Sequence, residues 1–113
     1  MQRKAAAFNQ SDPNKWEERL RVIPTTYIIR TELWELYQAD PAFVYNFMDD
    51  DQCFTYRHLG YRLMACGDTF VHHGGHVGFQ DLEQFETDLQ NGYNIFISKH
   101  GIDPWEDILN CEF

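Results

Sequence analysis

Positive charge is scarce in this sequence. Lysine and arginine total 9 against 18 aspartates and glutamates, a formal net charge of −9 with an isoelectric point near 4.8. A surface of that sign repels phosphate backbones and anionic headgroups, which argues against nonspecific binding to nucleic acid or lipid. Long apolar runs are missing too. No stretch approaches the roughly 20 residues needed to cross a bilayer. The opening MQRKAAAFNQ carries positive charge but too short an apolar stretch for a secretory signal. Cysteines are few: Cys53, Cys66 and Cys111 contain no C-x-x-C pair. Their odd number argues against a disulfide scaffold and a structural zinc site, and makes a reducing cytoplasm the simpler home.

What is present suits a packed core. Hydrophobic residues make up 43% and aromatics 16% of 113 residues, which describes one domain or part of one. Asp12-Pro13 has the form of a helix start, and Trp16 and Leu20 then share a face, so a first helix is predicted from Pro13 to about Leu20. The β-branched and aromatic run Thr25–Arg30 predicts a short strand. Thr31 caps a predicted helix bearing Leu33, Trp34, Leu36 and Tyr37, which Asp40-Pro41 closes. Phe43 to Phe47 reads as an aromatic loop.

A helix is predicted to begin at Asp49-Asp50-Asp51 and to end at Gly60, which suits a left-handed cap. Carboxylates in a first turn are favoured by the helix dipole, by about 0.3–1 kcal/mol each, so the triplet can be explained as an acidic helix start alone. Tyr61–Cys66 and Thr69–His73 are predicted strands around a Gly67-Asp68 turn. The spacing of Leu82, Phe85, Leu89, Tyr93 and Phe96 predicts a long helix from Asp81, with Lys99, His100 and Gly101 at its end. Asp103-Pro104 opens a short final helix containing Trp105 and Ile108.

Besides the structural reading, the three aspartates and the pair His72-His73 admit two chemical ones. Asp-x-Asp with histidine suits a divalent ion such as Mn²⁺ or Mg²⁺. Alternatively, one aspartate takes a proton from a hydroxyl as a general base, and its neighbours' repulsion raises its pKa. Spacing alone does not rank these two.

The order of the elements resembles the C-terminal, acceptor-side half of family 2 glycosyltransferases of the GT-A type. The residues that carry the likeness are Tyr27-Ile28-Ile29-Arg30, then Phe47-Met48-Asp49-Asp50-Asp51-Gln52-Cys53, then Gly60-Tyr61-Arg62-Leu63. Asp68-Thr69-Phe70-Val71-His72-His73 and Phe96-Ile97-Ser98-Lys99-His100-Gly101 complete it, across roughly residues 22–103. The resemblance implies an α/β fold, a partial GT-A domain of short strands with flanking helices spanning residues 1–113. It implies transfer of a sugar from a nucleotide-sugar donor to an acceptor glycan or other hydroxyl, with inversion.

By the same resemblance Asp49 falls on the catalytic base and Asp51 on the second acidic position of the helix start. His73, or His72 one register away, falls on the histidine near the donor diphosphate and a Mn or Mg ion. Tyr45 and Arg57 are candidate acceptor contacts, while Phe47 suits the core better than the acceptor. Asp49, Asp51 and His73 are expected to line one cleft. Met48 stands where the family usually has Glu, Gly78 where Ser or Thr is common, and His100 where Trp is usual. The family's donor-binding half, with its own Asp-x-Asp metal motif, precedes these elements and has no counterpart here. The chain is therefore expected to be either a fragment of such an enzyme or a partner to a separate donor-binding half, with the metal held mostly by that half. The rival readings are a non-catalytic acidic interaction module and a small Asp/His metal-binding protein that also uses His76.

Overall fold

A computed structural model describes residues 7–23, 26–44, 46–73 and 81–110. A single turn of 3-10 helix at Pro13–Lys15 leads into strand β1, Trp16–Arg19. Helices α1 (Thr31–Leu36) and α2 (Met48–His58) follow, then strand β2 (Leu63–Cys66) and helices α3 (Leu82–His100) and α4 (Pro104–Asn110). β1 and β2 form a two-stranded antiparallel sheet in which Trp16 faces Cys66 and Arg19 faces Leu63. The architecture is a small mixed α/β arrangement.

Local signals place the helices. Asp81 caps α3 by accepting the Gln84 N–H at 3.0 Å, and Gly101 ends it in the left-handed region at φ 71°. Gly60 does the same after α2 at φ 89°. Arg30, rather than Thr31, occupies the cap position of α1.

Strand pairing departs from the sequence-based expectation in three places. The residues after Asp12 leave the helical path at Lys15 and become β1, the partner of β2. A short isolated helix held by one Trp16–Leu20 contact is marginal in water. Here the backbone finds a ladder instead, and Asp68 clamps its end. The Asp68 carboxylate accepts the Asp12 N–H at 2.8 Å. That bond and one from the Trp16 side chain hold it below the usual carboxylate range. Gly67 lets the chains close up, because a Cβ there would lie 2.5 Å from the Lys15 carbonyl oxygen. Residues 69–73, predicted as a strand, have no regular structure, and Phe70 is pinned by its N–H to the Asn9 side chain at 2.6 Å. Of the predicted strand at 25–30, residues 26–30 form no strand, and Thr25 lies outside the described residues.

The core lies between α2 and α3. Phe43, Phe47 and Phe96 are buried, with Met48, Phe54, Tyr93, Ile95 and Ile102 packed around them. Cys53, buried, and Cys66, exposed, are free thiols. Among the described residues, no helix is long and apolar enough to cross a membrane.

Gly92 allows α3 to approach the segment that precedes α2. A Cβ on it would sit 2.8 Å from the Asn46 carbonyl oxygen and 3.1 Å from the Phe47 ring. Alanine gains about 1 kcal/mol of helix propensity, but overpacking against backbone costs about 1–3 kcal/mol. Gly92→Ala is therefore expected to destabilise by about 1 kcal/mol in urea unfolding. A more stable variant would show that the α3 contact is looser than described.

Candidate acid–base site at the start of helix α2

Asp49, Asp50 and Asp51 occupy the first turn of α2, and successive helical positions differ by about 100° around the axis. Three adjacent carboxylates thus face three directions, and each meets different surroundings.

Asp51 points into the protein and is 0% exposed. Its carboxylate accepts from the Tyr37 hydroxyl and lies 2.6 Å from His100 Nε2 and 3.1 Å from Lys99 Nζ. Lys99 also donates to Asp40 at 2.5 Å. Burial alone would lower the Lys99 pKa, but its bonds to Asp40, Tyr37 and Asp51 together raise it. The His100 ring packs against Phe54 and Phe96, with centroids 4.2 and 4.6 Å away. The network joins the start of α2 to the last turn of α3.

Asp50, also buried, is paired with Arg21, whose guanidinium reaches both of its oxygens, one of them from a terminal nitrogen at 3.1 Å. The hydrogen bond to Asp50 raises the Arg21 pKa. The same guanidinium lies 5.1 Å from the centre of the Trp105 ring.

Asp49 is different. It is half-buried, and among the described residues no hydrogen bond or ion pair reaches its carboxylate. Burial, followed by the charge of Asp50, raises its pKa, and Arg21 only partly opposes the rise. A half-buried carboxylate with a raised pKa and uncommitted lone pairs is suited to accept a proton. Just before the triplet, Phe47 sits in the left-handed region at φ 63° without being glycine. Such strain in a bulky residue survives only where packing over-determines it, here burial against Phe43 and Phe96.

The other sequence-derived candidates are spread more widely. Arg57 is ion-paired with Asp107 and ties α2 to α4. His72 and His73 are exposed beyond β2. Tyr45, His76 and Gly78 lie outside the described residues. Asp51 is enclosed by α3, so it lines no open cleft with Asp49; the roughly 200° between them on the helix separates the two. Among the described residues, no three or more His, Cys, Asp or Glu side chains are arranged to hold a metal ion.

Sequence reasoning gave Arg21, Tyr37, Asp40, Lys99 and His100 no part in the site. It placed Lys99 and His100 at the end of a helix and in the closing pattern of the resemblance. Only their packing against α2 turns them into partners of Asp51. Comparison with protein-family models, with curated proteins and with solved structures found no match.

The three aspartates are expected to behave differently when neutralised. Asp51→Asn leaves Lys99 and His100 without their buried anion and should cost about 3–5 kcal/mol, as breaking a buried ion pair does. Asp50→Asn should also destabilise, through Arg21. Asp49 has a folded pKa above its unfolded value, so its ionisation opposes folding, and stability owed to it rises as pH falls through the folded pKa. Asp49→Asn should therefore unfold at the same or higher urea concentration at neutral pH, and the variant should lack that gain on acidification. A large loss of stability in Asp49→Asn would mean that its carboxylate has a partner.

Proposed function

We propose that this chain is the acceptor side of a cytoplasmic, inverting glycosyltransferase with a GT-A type fold, and that Asp49 is its general base. The observation that carries this reading is the division of labour in the triplet: Asp50 and Asp51 are consumed by buried pairs, while Asp49 has no partner among the described residues and a raised pKa. In the transfer, Asp49 accepts the proton of the acceptor hydroxyl. The acceptor oxygen forms its bond to the anomeric carbon, and the bond from that carbon to the donor diphosphate breaks, with the electron pair leaving on the diphosphate. Attack from the side opposite the leaving group inverts the centre.

The donor nucleotide-sugar is bound mainly by a donor-binding half beyond these residues. The net charge of −9 gives this chain little attraction of its own for a diphosphate. A divalent cation, Mn or Mg, belongs to the same reading, with His73 or His72 as this chain's contribution and the other ligands from the donor-binding half. Met48, in the place where the resemblance has Glu, leaves Asp49 without a second carboxylate to position it, so its orientation rests on the Asp51 network. A second reading, a non-catalytic acidic interaction module, draws support from the exposed apolar residues Ile28 and Leu36, 100% and 63% accessible.

The test is steady-state kinetics in a complex with the donor-binding half. Asp49→Asn keeps the shape but not the basicity, and kcat should fall about 10²–10⁴-fold with little change in donor affinity. Because the Asp49 pKa is raised, the acidic limb of the kcat/KM profile should lie above the ordinary aspartate range, with activity lost as pH falls through it. Unchanged kcat in Asp49→Asn, in a variant that folds, would remove the base from the mechanism and favour the interaction module.

A further inference from the structure

Away from the triplet, the segment before α1 and the helix itself form an open groove of about 330 Å³ lined by Tyr27, Ile29, Thr31 and Trp34. Its volume falls at the low end of small-molecule sites, roughly 300–1,000 Å³. None of its four side chains carries a formal charge. Among the described residues, the Tyr27 hydroxyl, the Thr31 hydroxyl and the Trp34 indole N–H have no hydrogen-bond partner. The indole donates only, while the two hydroxyls both donate and accept.

That combination selects the ligand chemistry. Two aromatic rings and an isoleucine offer apolar surface, and three polar tips at its margin, open to solvent, can exchange water for ligand groups of both kinds. A charged ligand finds no counter-ion in the lining, and a purely apolar one makes no use of the tips. A pyranose matches both needs, because its C–H face is apolar and its equatorial hydroxyls donate and accept. Aromatic side chains with a polar tip are suited to such half-apolar, half-wet contacts.

Burial raises the Tyr56 pKa, and the charge of Tyr27 adds to the rise. Tyr56 stands seven positions after Asp49 on α2, which returns it to within about 20° of the same helical face. The Tyr56 hydroxyl donates to the Tyr37 carbonyl at 2.8 Å, which ties this face to the end of α1. We propose that the groove formed by Tyr27, Ile29, Thr31 and Trp34 is a saccharide subsite that holds a sugar unit of the acceptor glycan, with a ring face against the aromatics. The proposal rests on the transferase reading for the word acceptor, but saccharide binding stands or falls by itself.

The experiment titrates the ¹⁵N-labelled chain separately with maltotriose, cellotriose and chitotriose and follows the three indole N–H resonances. The Trp34 resonance is expected to shift saturably with at least one of them, while those of Trp16 and Trp105 stay in place. Tyr27 is half exposed, so Tyr27→Ala leaves the core intact and should weaken that binding tenfold or more. Thr31→Val, which removes one hydroxyl, should weaken it less. No saturable shift with any of the three overturns the proposal, as does binding unaffected by Tyr27→Ala. Shifts that depend on protein concentration instead of saccharide would assign the groove to a protein contact and overturn it equally. If saccharide binds here but Asp49→Asn leaves transfer intact, the base assignment fails and the subsite remains.

Discussion

Asp51 is the constraint on which the arrangement of this protein depends. A carboxylate fully withdrawn from water is tolerable only if its charge and lone pairs are matched inside. Asp51 is matched from two directions: by Tyr37, just after α1, and by Lys99 and His100 at the end of α3. Satisfying one carboxylate therefore fixes how α2 lies against α3, and how the chain between α1 and α2 must run. The aromatic surfaces of Phe54 and Phe96 close around the His100 ring and keep water from competing for the pair. Asp40 extends the network through Lys99, so two anions share one ammonium near a third group, Tyr37, that must keep its proton to donate.

Once Asp51 is anchored, helical geometry decides the fate of its neighbours. Asp50 is carried round to Arg21, which brings the segment after β1 onto α2 and stacks over Trp105 of α4. Asp49 is carried the other way, onto a face where burial is partial and where, among the described residues, no ion pair forms, Arg21 acting on it only from a distance. A helix start favours negative charge through its dipole, but partial desolvation and the adjacent Asp50 outweigh that and lift the Asp49 pKa. The left-handed Phe47 immediately upstream locks the entry angle of the helix, and with it the direction of Asp49. Two structural carboxylates thus hold a third in a state suited to proton transfer.

The same geometry separates the rival explanations of the triplet. As an acidic helix start alone, three aspartates would be interchangeable surface groups, each worth a few tenths of a kcal/mol or so. As a self-contained metal site, they would converge. They do neither: they diverge, and among the described residues Asp50 and Asp51 are committed to partners while Asp49 has none. The groove at Tyr27 and Trp34 adds a neutral, hydroxyl-rich surface to a chain that is otherwise strongly acidic, a surface suited to an uncharged polar ligand.

The sequence by itself determined the features whose physics is local. Capping by Asp81, the left-handed glycines Gly60 and Gly101, the periodicity of α3 and the acidic start of α2 each depend on groups within a few residues of one another. All appear where the sequence places them. Tertiary structure decided whatever required distant groups to meet. Trp16–Arg19 became a strand because Leu63–Cys66 offered a ladder, and Thr69–His73 was left without one. His100 became the partner of Asp51 across 49 residues, and Arg21 that of Asp50 across 29. A strand edge or a buried charge is neutral between many possible partners until packing selects one. For that reason the sequence marked the triplet as a candidate site, while the fold decided that Asp50 and Asp51 found partners and Asp49 found none among the described residues.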